Sequence, residues 1–193
     1  LIFPFALICI SLMIGSEGTL AVVTKIVTKL IPAVSQNVLM LGSFATNEQA
    51  CAAVSAIFRA GITPSALEFM ERKGVEWVIK FDDIKFDLKD EVNAFLMIEF
   101  DGDDLDTIFK DCEKVNSVLE EFGCLDVLFA DTAQQKEDIW RMRRTMAESV
   151  KSNSVYKEED TVIPRAALPK LVNGIKENTV IICKRFIENN NEE

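Results

Sequence analysis

The sequence is most informative in what it lacks, because none of its 193 residues is histidine. A hydrolase of the Ser-His-Asp type needs an imidazole as its general base. Catalytic zinc sites usually include histidine ligands. Both kinds of chemistry are therefore excluded for these residues alone, and we assign no catalytic residue and no metal site to this chain.

Cysteines are few and scattered, which bears on the cellular compartment. The chain has five of them, an odd number, and no Cys-x-x-Cys pair; they are Cys9, Cys51, Cys112, Cys124 and Cys183. Disulfide frameworks and structural zinc sites show regular spacings instead. The pattern predicts reduced thiols, mostly buried, in a cytoplasmic protein.

Positive charge is also scarce, since 21 Lys and Arg face 31 Asp and Glu and leave a net charge of −10. This balance disfavours nucleic acid and anionic membrane surfaces as partners. The apolar stretch Leu1 to Ile14 is too short to span a bilayer as a helix. No basic segment precedes it and no cleavage site follows it, unlike a signal peptide. Because the chain begins with Leu rather than Met, we interpret it as a fragment.

A strand–helix–strand pattern occurs twice, from Val38 to Met70 and from Asn93 to Ala130. In each unit, apolar runs flank a segment with apolar residues at helical spacing and its own capping signal. Two such units predict an α+β fold, a ferredoxin-like antiparallel sheet with helices on one face. Linker signals at Pro32 and at 35–37 divide the chain into residues 1–32 and 33–193.

The chain after the second unit is predicted to be mainly helical. A long helix is expected from about Thr132 to Lys151, opened by a capping box of Thr132 and Gln135. Residues 164–176 are expected to form a short helix, or two turns broken at Pro169. The polar tail from Asn178 is expected to fray.

A glycine loop near the start of the chain is the first candidate binding element. Gly15 and Gly18 flank a Ser-Glu pair, and Val22 to Leu30 then reads as a strand. Ser11 to Ile14 fits a strand that leads into the loop. Successive main-chain N–H groups in such a turn suit a phosphate or another electron-rich group. An ordinary glycine turn before a strand is the alternative.

The second candidate is the run Trp-Arg-Met-Arg-Arg at 140–144. Trp140 and Arg143 are three residues apart and therefore share a helix face. An arginine at the margin of an apolar face can hold a carboxylate bidentately with its planar fork of donors. The alternative is a set of surface arginines paired with Glu137 or Glu148.

Several of these strings together resemble one family. They are Gly-Ser-Glu-Gly-Thr-Leu at 15–20, Ser-Ala-Leu-Glu-Phe-Met at 65–70, Trp-x-x-Arg at 140–143 and Asp-Thr-Val-Ile-Pro-Arg-Ala-Ala-Leu-Pro at 160–169. The chain from about Ser11 to Lys176 resembles the FAD-linked oxidases of the vanillyl-alcohol-oxidase type. That family includes D-lactate dehydrogenase, the glycolate oxidase catalytic subunit and D-2-hydroxyglutarate dehydrogenase. Residues 1–32 would be the end of the FAD-binding domain, and 33–193 a cap domain truncated before its histidine motifs.

The resemblance implies a function and a set of site residues. The intact protein would oxidise a D-2-hydroxy acid, such as D-lactate or glycolate, by hydride transfer to FAD, with an unspecified electron acceptor. Arg143 would hold the substrate carboxylate and Lys157 would contact the substrate, whereas Ala147 replaces a threonine that serves in some members. The loop backbone would lie against FAD; its residues are Gly15, Ser16, Glu17, Gly18, Thr19 and Val22. The 193-residue piece alone is expected to be inactive.

A different class of function also fits the composition. A non-enzymatic ferredoxin-like module that binds a small ligand or a protein partner needs no histidine and tolerates an acidic surface. Flavin-family sequence on either side of this chain would favour the enzyme, and its absence would favour the module.

Overall fold

The computed structural model describes residues 9–156 and 161–190, and it describes side chains up to residue 180. Contacts divide the chain between Ala33 and Val34 into two units. The second unit contains the sheet, and each unit is considered by itself below.

The sheet has four antiparallel strands in the order β2-β3-β1-β4. The strands are β1 Gln36–Phe44, β2 Ala66–Glu71, β3 Ala94–Gly102 and β4 Cys124–Phe129. The helices are α1 Asn47–Arg59, α2 Arg72–Asp82, α3 Leu105–Glu121, α4 Ala133–Arg144, α5 Met146–Asn153 and α6 Leu168–Asn190, with a 3₁₀ turn over Arg165–Ala167. Two β-α-β units with this strand order form a ferredoxin-like sandwich, so the predicted α+β fold is confirmed.

The first face of the sheet is covered by the two crossover helices, α1 and α3. Alternate residues of β1 and β3, from Val38 to Phe44 and from Ala94 to Phe100, pack against them. Helix α3 contributes Ile108, Cys112, Val115 and Leu119 at helical spacing. These side chains form the larger core, and they place both crossover helices on one face as expected.

The second face is covered as well, by α2 and α4, which the expectation of helices on one face did not include. Its core contains Leu39 and Leu41 of β1 with Phe95 and Met97 of β3. Because both central strands are apolar at successive positions, each face must be shielded from water. Helix α4 supplies Ile139 and Met142 to this core, and this contact fixes the helix that carries the candidate arginine.

The long helix expected over 132–151 is two helices, α4 and α5, separated at Thr145. The Thr145 hydroxyl donates to the carbonyl of Arg141, and its amide donates to the same oxygen at 2.9 Å. Such a bond from Thr to the preceding turn bends a helix. A Cβ placed on Gly74 would lie 3.0 Å from Met146 Sδ, so the glycine lets α5 approach α2 closely.

The C-terminal helix is longer than expected. Helix α6 begins at Leu168 and continues to Asn190, with neither a break at Pro169 nor an end near 176. Pro169 lies in the first turn, where its missing N–H is not needed. Lys176 Nζ lies 2.7 Å from Glu71 Oε1, and the Arg165 guanidinium lies 3.8 Å from the centre of the Phe58 ring. The first contact holds α6 against the end of β2, and the second holds the preceding 3₁₀ turn against α1.

The first unit has less regular structure than the sequence predicts. Residues 11–13 are helical rather than extended, and Val22 to Leu30 form no strand. A β-rich sequence becomes a strand only when a neighbouring strand pairs with its N–H and C=O groups. Among the described residues, the strand pairs all lie within β1 to β4. No helix in the described ranges combines the length and the apolarity that a membrane crossing requires.

Candidate functional site

Helix α4 is positioned on the second face by its own first turn. Thr132 is the N-cap, and its Oγ1 accepts from the Gln135 amide at 3.1 Å. Gln135 Oε1 accepts in return from the Thr132 amide at 3.2 Å. This reciprocal capping box confirms the prediction and fixes where the helix begins. It therefore also fixes which residues of α4 point toward the sheet.

Trp140 points from α4 onto the sheet, as predicted from its place on the apolar side. Its indole Nε1 donates to Glu99 Oε1 on β3 at 3.2 Å. The same oxygen accepts from Asn37 Nδ2 at 3.1 Å, and Lys136 Nζ donates to Asn37 Oδ1 at 2.8 Å. The polar end of the second face is thus a connected network that holds the Glu99 carboxylate in place.

Arg143 lies one turn beyond Trp140 on the same side of α4. Its Nε donates to Glu68 Oε2 on β2 at 2.8 Å, with the two side chains 39% and 35% exposed. Among the described residues, its terminal Nη1 and Nη2 atoms donate to no protein group. The two terminal nitrogens of this guanidinium can therefore bind a ligand, whereas Nε is held by Glu68.

The neighbouring arginines are engaged differently. Arg141 donates two hydrogen bonds to Asp82. Its Nε donates to the Asp82 side chain at 2.6 Å, and its Nη2 donates to the Asp82 carbonyl oxygen at 2.8 Å. The Asp82 hydrogen bond raises the pKa of Arg141 further above its ordinary value. Arg144 Nη2 donates to Glu137 at 2.7 Å, which matches the surface-pair alternative. Arg143 does not follow that alternative, because its partner is a sheet residue rather than Glu137 or Glu148.

Two other residues named by the family resemblance have different outcomes. Lys157 lies outside the residues that the structure describes, so its substrate contact stays a prediction. Ala147 is exposed on α5, beyond the break at Thr145.

The acidic partners Glu68 and Glu99 were not identified from the sequence as site residues. Each is the single charged residue inside an apolar stretch of its strand, Leu-Glu-Phe-Met in β2 and Met-Ile-Glu-Phe in β3. A charge in a buried strand is rare unless it is paired. An isolated charge in each strand therefore indicated that Glu68 and Glu99 have partners, although the sequence did not reveal which helix residues these would be.

The glycine loop of the first unit is a tight turn. The φ angles are +79° at Gly15, +49° at Glu17 and +77° at Gly18, and Thr19 N donates to Ser16 O at 2.9 Å. Positive φ at both central residues of a turn is typical of type I′. Thr19 Oγ1 donates to the same carbonyl at 2.6 Å. Gly15 and Gly18 therefore adopt the backbone angles for which the sequence predicted glycine.

The same loop can be tested for its fit to a flavin nucleotide. Within the described part of the chain, the amides of Glu17 and Gly18 donate to no protein atom. Successive unengaged N–H groups with no Cβ on Gly18 match an electron-rich ligand such as a phosphate or a flavin carbonyl. The residues present fit such a group, and Val22 follows in an irregular segment.

A cleft of about 340 Å³ lies on the second face, beyond the other end of α4. Its wall includes the edge-to-face pair Phe86 and Phe95 with Ile139, and its rim carries the ion pair of Lys89 and Asp126 at 2.9 Å. Arg143 and Glu68 are not part of its lining. The cleft and the candidate arginine are therefore separate features.

Comparisons with known proteins agree on one family. The family described as FAD linked oxidases, C-terminal domain, matches residues 33–180. D-lactate dehydrogenase of Anaerostipes hadrus is 34% identical over 172 residues, which cover 86% of this chain and 36% of that protein. Glycolate oxidase subunit GlcD of Escherichia coli K12 is 34% identical over 167 residues, which cover 86% of this chain and 33% of that protein. The chain thus spans about a third of the length of these relatives.

One solved structure is also similar. An alkyldihydroxyacetonephosphate synthase matches with a TM-score of 0.48 and 16% identity, over 69% of this chain and 28% of that one.

Proposed function

Because the chain belongs to the FAD linked oxidases, whose C-terminal domain matches residues 33–180, we propose that it is part of an enzyme that oxidises a D-2-hydroxy acid. D-lactate and glycolate are the substrate types to test, given the names of the two relatives. Residues 1–32 would be the end of the FAD-binding domain and 33–193 the cap domain. The family membership favours this enzyme over a non-enzymatic binding module.

The observation that supports this proposal is the open fork of Arg143. Nε is held by Glu68 at 2.8 Å, and neither Nη atom donates to a protein group in the part of the chain that the structure describes. A guanidinium presents paired donors that match the two oxygens of a carboxylate. Held by a sheet residue, this fork would orient the α-carbon of a 2-hydroxy acid in a constant direction.

The cofactor in this proposal is FAD, which accepts the hydride when bound. The loop from Gly15 to Thr19 and Val22 would provide main-chain contacts to it, because the amides of Glu17 and Gly18 donate to no protein atom within residues 9–156 and 161–190. Lys157 would provide a second positive contact to the substrate, as the family resemblance implies. The chain holds no histidine that could accept the hydroxyl proton, so we expect it to be inactive by itself. We also expect it to be colourless, because it supplies only one loop of an FAD site and a dinucleotide needs most of its surface covered.

The cysteines support a reducing compartment such as the cytoplasm. Cys51 and Cys112 are buried as free thiols, and burial raises the pKa of each to about 11. They remain protonated at physiological pH, which suits structural thiols in the core.

A chimera tests the proposed function. Residues 33–180 would replace the matched segment in the D-lactate dehydrogenase of Anaerostipes hadrus, which supplies the rest of the enzyme. We expect the purified chimera to be yellow and its flavin to be bleached anaerobically by D-lactate or glycolate but not by L-lactate. A flavin-loaded chimera that no 2-hydroxy acid reduces, beside a parent enzyme that is reduced, would contradict the proposal.

A further inference from the structure

The charges around Arg143 are predominantly negative. Glu68 pairs with Met97 across β2 and β3, and Met97 belongs to the core of the second face. Glu68 therefore points to that face, and so does Glu99, two residues beyond Met97 on β3. The turn of α4 that contacts these acids presents Trp140 and Arg143. One guanidinium thus shares this end of the sheet with two carboxylates.

The other cations of α4 do not change that balance. Arg141 is bound to Asp82 and Arg144 to Glu137, so each is offset by its own acid. Lys136 donates to the Asn37 carbonyl and side chain. It lies seven residues before Arg143, which is roughly 10 Å along the helix. Among the described residues, a ligand on the Arg143 fork therefore meets one cation with unused terminal donors and, beside it, the carboxylates of Glu68 and Glu99; Lys157 lies outside those residues.

We propose that the Arg143 site selects 2-hydroxy acids with a single carboxylate, and that Glu68 is the residue that discriminates against dicarboxylates. This inference rests on the proposed role of Arg143. The first carboxylate of a ligand pairs with the fork, whereas a second one a few ångströms away meets Glu68 and Glu99. Specificity of this kind comes from a repulsive element beside the attractive one.

Substrate size alone does not produce this selection. The site is about one third exposed at both Arg143 and Glu68, so a longer ligand has room to extend. Partial exposure also keeps the repulsion modest, because water screens it. We expect a discrimination of about tenfold in affinity rather than complete exclusion.

The experiment uses the full 193-residue chain labelled with ¹⁵N and follows the Nε–H signal of Arg143 by NMR. D-lactate and D-malate are titrated separately at low ionic strength. We expect the dissociation constant for D-malate to exceed that for D-lactate by about tenfold. In Glu68→Gln, which keeps an oxygen to accept from Nε but removes the charge, the ratio should fall toward one. Glu137→Gln, which removes the acid beside Arg144 instead, should leave the ratio unchanged.

The outcomes separate the inference from the function on which it rests. If D-malate binds as tightly as D-lactate, or the ratio is unchanged in Glu68→Gln, selection by Glu68 is overturned while Arg143 remains the anchor. If neither acid moves the Arg143 signal, the anchor itself is overturned. Should Glu68→Gln fail to fold, Glu68→Met replaces it, because it also removes the charge at similar side-chain length; a lower ratio there supports repulsion by Glu68 and an unchanged ratio contradicts it.

Discussion

Arg143 Nε donates to Glu68 Oε2 across 2.8 Å, and this bond joins helix α4 to the edge strand β2. The two residues are 75 positions apart in the sequence. The bond uses the base of the guanidinium and leaves its two terminal nitrogens for a ligand. Because this hydrogen bond orients the guanidinium, it limits the directions from which a carboxylate can approach.

Replacing Arg143 by lysine in the chimera tests that geometry separately from charge. The ammonium keeps the positive charge but cannot hold Glu68 and a carboxylate in one plane. We expect kcat/KM for D-lactate to fall about tenfold or more. Arg144→Lys is the matched control, because Arg144 lies one residue on and is paired with Glu137. A large loss in Arg144→Lys with none in Arg143→Lys would move the anchor to Arg144.

Trp140→Phe tests the network that holds Glu99. Phenylalanine keeps an aromatic ring against the second core but removes the Nε1 donor, which lies 3.2 Å from Glu99. Hydrogen bonds to charged groups contribute about 1.5–3 kcal/mol; because Glu99 keeps its bond from Asn37, we expect a loss near the lower end. The free energy of unfolding in urea measures it. Trp77→Phe on α2 is the control. If it lowers the free energy of unfolding by the same amount, the smaller ring and not the lost hydrogen bond explains the effect of Trp140→Phe.

Much of the fold could be predicted from local patterns. The two predicted strand–helix–strand units match β1 to β2 and β3 to β4 within two residues at their outer ends, and the capping box at Thr132 marked a real helix start. These features depend on neighbours within one turn or one strand, and sequence spacing reports them directly.

Features that depend on distant partners were harder to predict. The break at Thr145 interrupts a continuous apolar spacing, and its cause includes the packing of Met146 on Gly74, which sequence spacing does not show. The strand predicted at Val22 to Leu30 has the composition of a strand but no pairing partner among the described residues. Glu68 and Glu99 could be noticed as isolated charges, yet their contacts with α4 follow only from the strand register.

Two helix-ending glycines offer a controlled test of backbone strain. Gly61 follows α1 and Gly123 follows α3, each with a φ of +78°. An alanine Cβ at Gly61 would meet nothing within 4 Å, whereas at Gly123 it would lie 2.6 Å from the terminal nitrogen of Gln49. Since that side chain can rotate away, the left-handed backbone sets the cost in both places. We expect Gly61→Ala and Gly123→Ala each to lose about 1–2 kcal/mol of unfolding free energy.

Urea unfolding measures both variants, and the critical result is whether Gly61→Ala and Gly123→Ala lose the same free energy of unfolding. A much larger loss in Gly123→Ala would show that Gln49 is held rigidly, consistent with the hydrogen bond of its side chain to Thr46. A negligible loss in Gly61→Ala would show that the left-handed conformation is not required at the end of α1.

The buried thiols predict an alkaline limit to stability. Burial, with Glu48 as a second cause at Cys51 and Asp111 at Cys112, raises the pKa of both thiols from 9.0 to about 11. The folded state therefore favours the protonated thiol, and the unfolded state ionises first as the pH rises. Their contribution to stability is complete below pH 9 and is lost progressively between pH 9 and about 11. At pH 10, ionisation of each thiol in the unfolded state should lower the free energy of unfolding by about 1 kcal/mol.

Urea unfolding at pH 8 and pH 10 measures this loss in the native chain and in Cys51→Ala and Cys112→Ala. Each alanine variant starts from a lower free energy of unfolding at pH 8, because a buried side chain has been shortened. Its further decrease between pH 8 and pH 10 should nevertheless be smaller than that of the native chain by about 1 kcal/mol. The other ionisable side chains are common to all three proteins, so the difference reports on the thiol. Identical decreases in the three proteins would show that neither cysteine ionises on unfolding in this range, and that another group sets the alkaline limit.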